Sequence, residues 1–200
     1  MVEVPRSLEQ MAPEEDRRFV VHGVSWAQYE TVREALDQVS GLRLTFLDGN
    51  LELMSPGHRH EGVKTMLARL LEAYALERGV QLNGCGGLTM RARRLERALE
   101  PDECYCLGRP FAEPPDLALE VVVTSWSLDR FAVYEGLGVR EVWVWRDGRL
   151  TVYRLGPQGY AAQPRSELIP ELDLDLLASF ATDAEDQTAA VRAYLGRLRR

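Results

Sequence analysis

Residues 117–123 read LALEVVV, apolar on both faces of a strand and interrupted once, by Glu120. A strand without a polar face is covered on both sides, so it belongs at the centre of a sheet with other layers packed on it. An unpaired carboxylate in that position costs several kcal/mol. The fold must therefore supply Glu120 with a partner cation, a metal ion or a proton. A plain salt bridge to an arginine would satisfy it as well as a functional site would.

The rest of the chain supports a layered fold. Its 200 residues, 46% of them hydrophobic, suffice for one domain with a sizeable core and exclude disorder for most of its length. Residues 1–18 are polar and mixed in charge and read as a flexible N-terminal arm, with residues 19–200 as a single domain. Ser25 and Gln28 have capping-box spacing and open a helix that runs to Gly41. Strands at 42–47 and 50–54 flank Asp48-Gly49, a strong hairpin signal. A helix at 60–78 closes at Gly79. Short strands follow at 80–82 and 88–92, then a charged excursion at 93–100 and a strand at 102–107. After the 117–123 strand come a short helix at 128–137, a second hairpin (141–145 and 150–155, turning at Asp147-Gly148) and a final helix from about Ala184. This order predicts an α/β (α+β) fold, a mixed sheet flanked by helices. The GCGG run at 84–87 has neither dinucleotide nor phosphate-loop spacing, so no nucleotide cofactor is expected. No nucleophile elbow is present.

Charge and cysteines narrow the chemistry. The chain carries 24 basic and 31 acidic residues, a net charge of −7, which argues mildly against general nucleic-acid binding. Lys64 is the only lysine. Cys85, Cys104 and Cys106 form neither a paired disulfide framework nor a zinc pattern and are expected to be reduced and structural. No apolar run approaches the ~18 residues of a membrane span. Residues 1–18 lack the apolar centre of a secretion signal, so a cytoplasmic protein with no membrane association is expected.

Asp102 follows Pro101 and precedes Glu120 by 18 residues, room for two neighbouring strands joined by a loop. Two carboxylates converging from adjacent strands make a hard-oxygen site suited to Mg²⁺ or Mn²⁺. Asp116, also after a proline, reads as a cap for the central strand. His60 and Glu61 open a helix, where a negative charge is favoured by the dipole, and Lys64 lies one turn on. Asp129 and Arg130 start the helix beyond the Glu120 strand, near the strand ends where α/β sites collect; a solvated helix start is the plainer reading. Arg91, Arg93, Arg94 and Arg97 make a basic patch that could touch phosphates or simply face water. Trp143 and Trp145 read as core.

The stretches LRLTFLDGNLELMSPGHRHE, LEPDECYCLG, PPDLALEVVVTSWSLDRFAVYEGLGVREVWVW and RDGRLTVYRL together resemble the Uma-two family of restriction endonucleases, within the PD-(D/E)xK nuclease superfamily. The resemblance implies a restriction-endonuclease-like mixed sheet and a Mg²⁺- or Mn²⁺-dependent endonuclease acting on DNA, expected as a homodimer. It assigns Asp102 and Glu120 as metal-binding and catalytic acids and Glu61 as the helical glutamate. His60, Lys64 and Asp129 are auxiliary, and Arg91, Arg93 and Arg94 contact DNA. The lysine expected two residues after the acid is Val122 here. The displaced lysine of the family, followed by tyrosine and Gly-Val, corresponds to Arg130, Tyr134 and Gly138-Val139. Arginine stays charged at any usual pH, so Arg130 can stabilise negative charge but not exchange a proton. Two rival readings remain. One is a nuclease-fold module that binds nucleic acid or protein without cleaving. The other is a structural protein with Glu120 salt-bridged to a core arginine and Asp102 far from it.

Overall fold

The computed structural model describes residues 15–86, 88–182 and 186–199. Among them the elements run β1 (Arg17–His22), α1 (Trp26–Ala35), β2 (Arg43–Leu47), β3 (Asn50–Ser55), α2 (His58–Arg78), β4 (Leu82–Gly84), β5 (Met90–Ala92), a short 3₁₀ turn, β6 (Arg97–Leu99), β7 (Glu103–Leu107), β8 (Leu117–Val122), α3 (Arg130–Leu137), β9 (Glu141–Arg146), β10 (Arg149–Gly156), β11 (Gly159–Gln163), α4 (Leu174–Phe180) and α5 (Gln187–Leu198). They build two sheets. One is antiparallel, in the order β1-β3-β2-β6-β5. The other runs β11-β10-β9-β8-β7-β4, with β8 and β9 its one parallel pair. This is an α+β architecture consistent with a restriction-endonuclease-like fold.

The central strand behaves as its sequence demands: all six residues of β8 are buried. Leu117, Leu119 and Val121 face α2, α4 and α5. Ala118 and Val122 point the other way, into a second cluster with Val133 and Tyr134 of α3. Helix α3 also touches β2, β5 and β6, so it lies between the two sheets. Glu120 alternates with Leu119 and Val121 and therefore points into this seam. A third cluster joins α1 to the five-stranded sheet, where the Tyr29 and Phe46 rings stack 5.1 Å apart and Trp26 meets Phe46 edge-on.

Both expected hairpins form. Their turn residues, Asp48-Gly49 and Asp147-Gly148, all have positive φ, the type I′ geometry that matches the strands' twist. Ser25 caps α1 with the reciprocal Gln28 bonds, and Trp143 and Trp145 are core.

Several elements differ from expectation. Helix α1 ends at Ala35 instead of continuing to Gly41. The charged excursion contains β6, whose Ala98 and Leu99 are fully buried. The last helix is preceded by α4 and begins at Gln187; Ala184 lies outside the described residues. The expected arm boundary at residue 18 falls inside β1, while residues 1–14 lie outside the described part. Strand β1 escapes sequence patterning because it turns Arg18 inward and leaves Phe19 67% exposed. No helix among the described residues is long and apolar enough to cross a membrane.

Candidate active site

Strand β7 pairs antiparallel with β8, Glu103 opposite Leu119, so the next step places Asp102 beside Glu120. The Asp102 carboxylate accepts the backbone N–H of Val121, the residue after Glu120, at 2.6 Å. The two acids therefore meet at one end of the β7–β8 pair. Asp102 itself lies just before β7, where ladder pairing has stopped and its side chain takes the place of a backbone acceptor.

Each acid is already partnered. Arg130, at the first turn of α3, donates to Glu120 Oε1 at 2.7 Å, to Thr45 Oγ1 at 3.0 Å and to the Glu100 carbonyl at 3.0 Å. Tyr134 lies one turn further along α3 and donates its hydroxyl to the same Glu120 oxygen. Glu120 and Arg130 are each only 2% exposed. Burial opposes the Arg130 charge, but the adjoining Glu120 carboxylate more than offsets this and holds the proton more firmly than water would. Burial, reinforced by Glu120, keeps the Tyr134 hydroxyl protonated. The buried ion pair of the structural reading is thus present, whereas its separation of Asp102 from Glu120 is not.

The partners continue in both directions as one chain in which acidic and basic side chains alternate. Arg130 lies 4.0 Å from Glu52 on β3, and Glu52 accepts from Arg18 on β1 at 3.3 Å. Arg18 pairs with Asp16 at 3.1 Å, and the Asp16 carboxylate lies 3.2 Å from His60 Nδ1. His60 Nε2 is 3.0 Å from Asp102, which also pairs with Arg43 on β2. Arg43 reaches Glu61 at 2.9 Å, and Glu61 reaches Lys64 at 2.6 Å. Both nitrogens of His60 face a carboxylate, Nδ1 that of Asp16 and Nε2 that of Asp102. Burial opposes the charge on Asp16, but hydrogen bonds from His60 and the Gly57 N–H prevail and lower its carboxyl to about 2.

The other expected residues are distributed around this chain. Glu61 and Lys64 form its more exposed end; the Glu61 side chain is 41% exposed. Asp129 is the N-cap of α3 and accepts the Ala132 N–H. Asp116 binds the Leu107 N–H and Arg109. Arg91, Arg93 and Arg94 are exposed on β5 and the 3₁₀ turn; Arg91 lies 3.8 Å from Glu30. The three cysteines are free thiols, with Cys85 and Cys106 sulfurs 3.7 Å apart.

Sequence reasoning missed Asp16, Arg18, Arg43, Thr45 and Glu52. Glu52 obeys the argument that singled out Glu120, an acid between apolar strand neighbours, but the alternation of NLELMS reads equally well as a strand with its acid facing water. Glu141 is a further buried acid. It is fully satisfied by Trp143, Ser166 and the N–H groups of Glu167 and Leu168, which marks a structural role.

Asp102 and Glu120 could hold a divalent ion. Mg²⁺ commonly takes one or two carboxylates and fills its remaining positions with water and phosphate oxygens. The donor chemistry fits, since both acids offer hard oxygens; Glu52, on the far side of Arg130, also has its Oε2 buried without a hydrogen-bond partner. Among the described residues no group of three histidine, cysteine, aspartate or glutamate side chains could hold an ion, so any ion would rely on water and substrate for much of its coordination.

Residues 26–185 fit the family model Uma2, whose description is "Putative restriction endonuclease". No curated protein matches the chain.

Proposed function

Because the chain belongs to the Uma2 family, we propose that it is an endonuclease that hydrolyses phosphodiester bonds of DNA with Mg²⁺ or Mn²⁺ bound by Asp102 and Glu120. The observation carrying this reading is the meeting of those acids, Asp102 bound to the N–H next to Glu120. An ion held by Asp102 and Glu120 would supply a water of lowered pKa and would offset the negative charge that develops on the phosphoryl oxygens. The chain's own groups set the stage. Arg130 supplies a fixed positive charge beside Glu120 that takes no part in proton transfer. Tyr134 and Thr45 hold the acid and the arginine in place. Arg43 and His60 orient Asp102. Glu61 and Lys64, at the more exposed end, meet the strand first, Lys64 as a point charge for phosphate.

The test is nicking of supercoiled DNA in Mn²⁺ and Mg²⁺. Wild type is expected to cleave, and Asp102→Asn and Glu120→Gln to lose cleavage while still folding. A metal-independent activity, or cleavage at the wild-type level in either variant, would refute the assignment. A second reading, the nuclease fold kept as a non-cleaving binding module, is favoured by one observation: arginines already neutralise both acids. It predicts no cleavage of any DNA and no heat of Mn²⁺ binding by calorimetry.

A further inference from the structure

A cleft of about 480 Å³ opens one strand away from Glu120, between α3 and the tip of the β9–β10 hairpin. Its wall includes Val144, which pairs across the sheet with Glu120, and Phe131, which follows Arg130. It is therefore the neighbouring compartment of the candidate active site. Two features point to its occupant. The first is aromatic: half-buried Trp126 lines the cleft and meets Phe131 with ring centroids 5.1 Å apart. The second is ionic. Arg146 and Arg149 face one another directly across the hairpin, both exposed, and neither has a salt-bridge partner among the described residues. Like charges directly opposite on paired strands repel. The only acid in the lining, Asp147 at the turn, leaves the arginines in excess. An aromatic wall beside a pair of unneutralised guanidiniums suits a base and its phosphate.

We infer that this cleft holds an unpaired nucleotide of the DNA, its base against Trp126 and its phosphate at Arg146 and Arg149. The inference rests on the DNA reading of the adjoining site but not on cleavage. In EDTA, where no cleavage occurs, a fluorescein-labelled oligothymidylate is titrated with protein and its anisotropy followed. Wild type is expected to bind. Trp126→Ala should weaken binding about 5- to 150-fold, the usual worth of one stacked base, and Trp126→Phe should restore most of it. Arg146→Gln/Arg149→Gln alters only exposed side chains. It should weaken binding and reduce the slope of log affinity against log salt by at least about 0.7. Absence of wild-type binding, or wild-type affinity in either variant, overturns the inference. If DNA is cleaved but the variants bind normally, the cleft assignment falls and the nuclease survives. If binding drops in the variants but no DNA is cleaved in Mn²⁺, the nuclease falls and the cleft survives.

Discussion

Glu120 and Arg130 stabilise one another in a place where neither could be buried alone. Removing one partner of such a pair typically costs about 3–5 kcal/mol, because the other charge is left without compensation. Arg130→Met should therefore destabilise the protein by that amount in urea denaturation, and the double variant Glu120→Gln/Arg130→Met should lose less than the sum of the two single changes. Tyr134→Phe removes a neutral donor from the same carboxylate and should cost only about 1–2 kcal/mol. At this scale the sequence was partly legible. Glu120 announced itself because apolar residues on both sides leave a strand no wet face. Glu52 did not, because Leu51 and Leu53 make it look like the polar half of an alternating strand; it is buried because other elements cover that face.

At the level of elements, local signals were reliable where a few neighbouring residues suffice. The Ser25–Gln28 capping box forms as its spacing requires. Ser25→Ala should cost about 1 kcal/mol and lower the melting temperature by roughly 2–4 °C. Strand β1 was illegible for the opposite reason: long-range ion pairs hold Arg18, and the strand's apolar Phe19 points outward. The Asp16 carboxyl that completes those pairs is lowered in the folded protein from 3.8 to about 2. Its contribution is thus fully present above pH about 4 and is lost as the pH falls towards 2. The stability difference between wild type and Asp16→Asn, measured by chemical denaturation, should approach about 2 kcal/mol near pH 5 and shrink as acid is added. A difference constant from pH 5 to pH 2 would show that Asp16 is not held ionised by His60 and Gly57.

For the whole molecule, the eleven linked groups from Lys64 to Tyr134 come from β1, β2, β3, α2, β8 and α3 and the segments flanking β1 and β7, so both sheets must be assembled before the network is complete. A ligand that binds only the assembled state adds stability in proportion to its saturation, about 2.7 kcal/mol at a hundred times its dissociation constant. Mn²⁺ should accordingly raise the melting temperature of wild type and leave Asp102→Asn unchanged; an equal rise in both would place the ion elsewhere. The sequence by itself determined the buried central strand, the two Asp-Gly hairpins, the capped helix and the family, since each depends on short-range pattern or on the order of such patterns. Only the tertiary structure decided which cation answers Glu120 and that Asp16, Arg18, Arg43 and Glu52 share its network. It also brought Trp126, Arg146 and Arg149 to one cleft. Charge compensation acts through space over a few ångströms, between residues far apart in the chain, as Arg130 and Glu52 show.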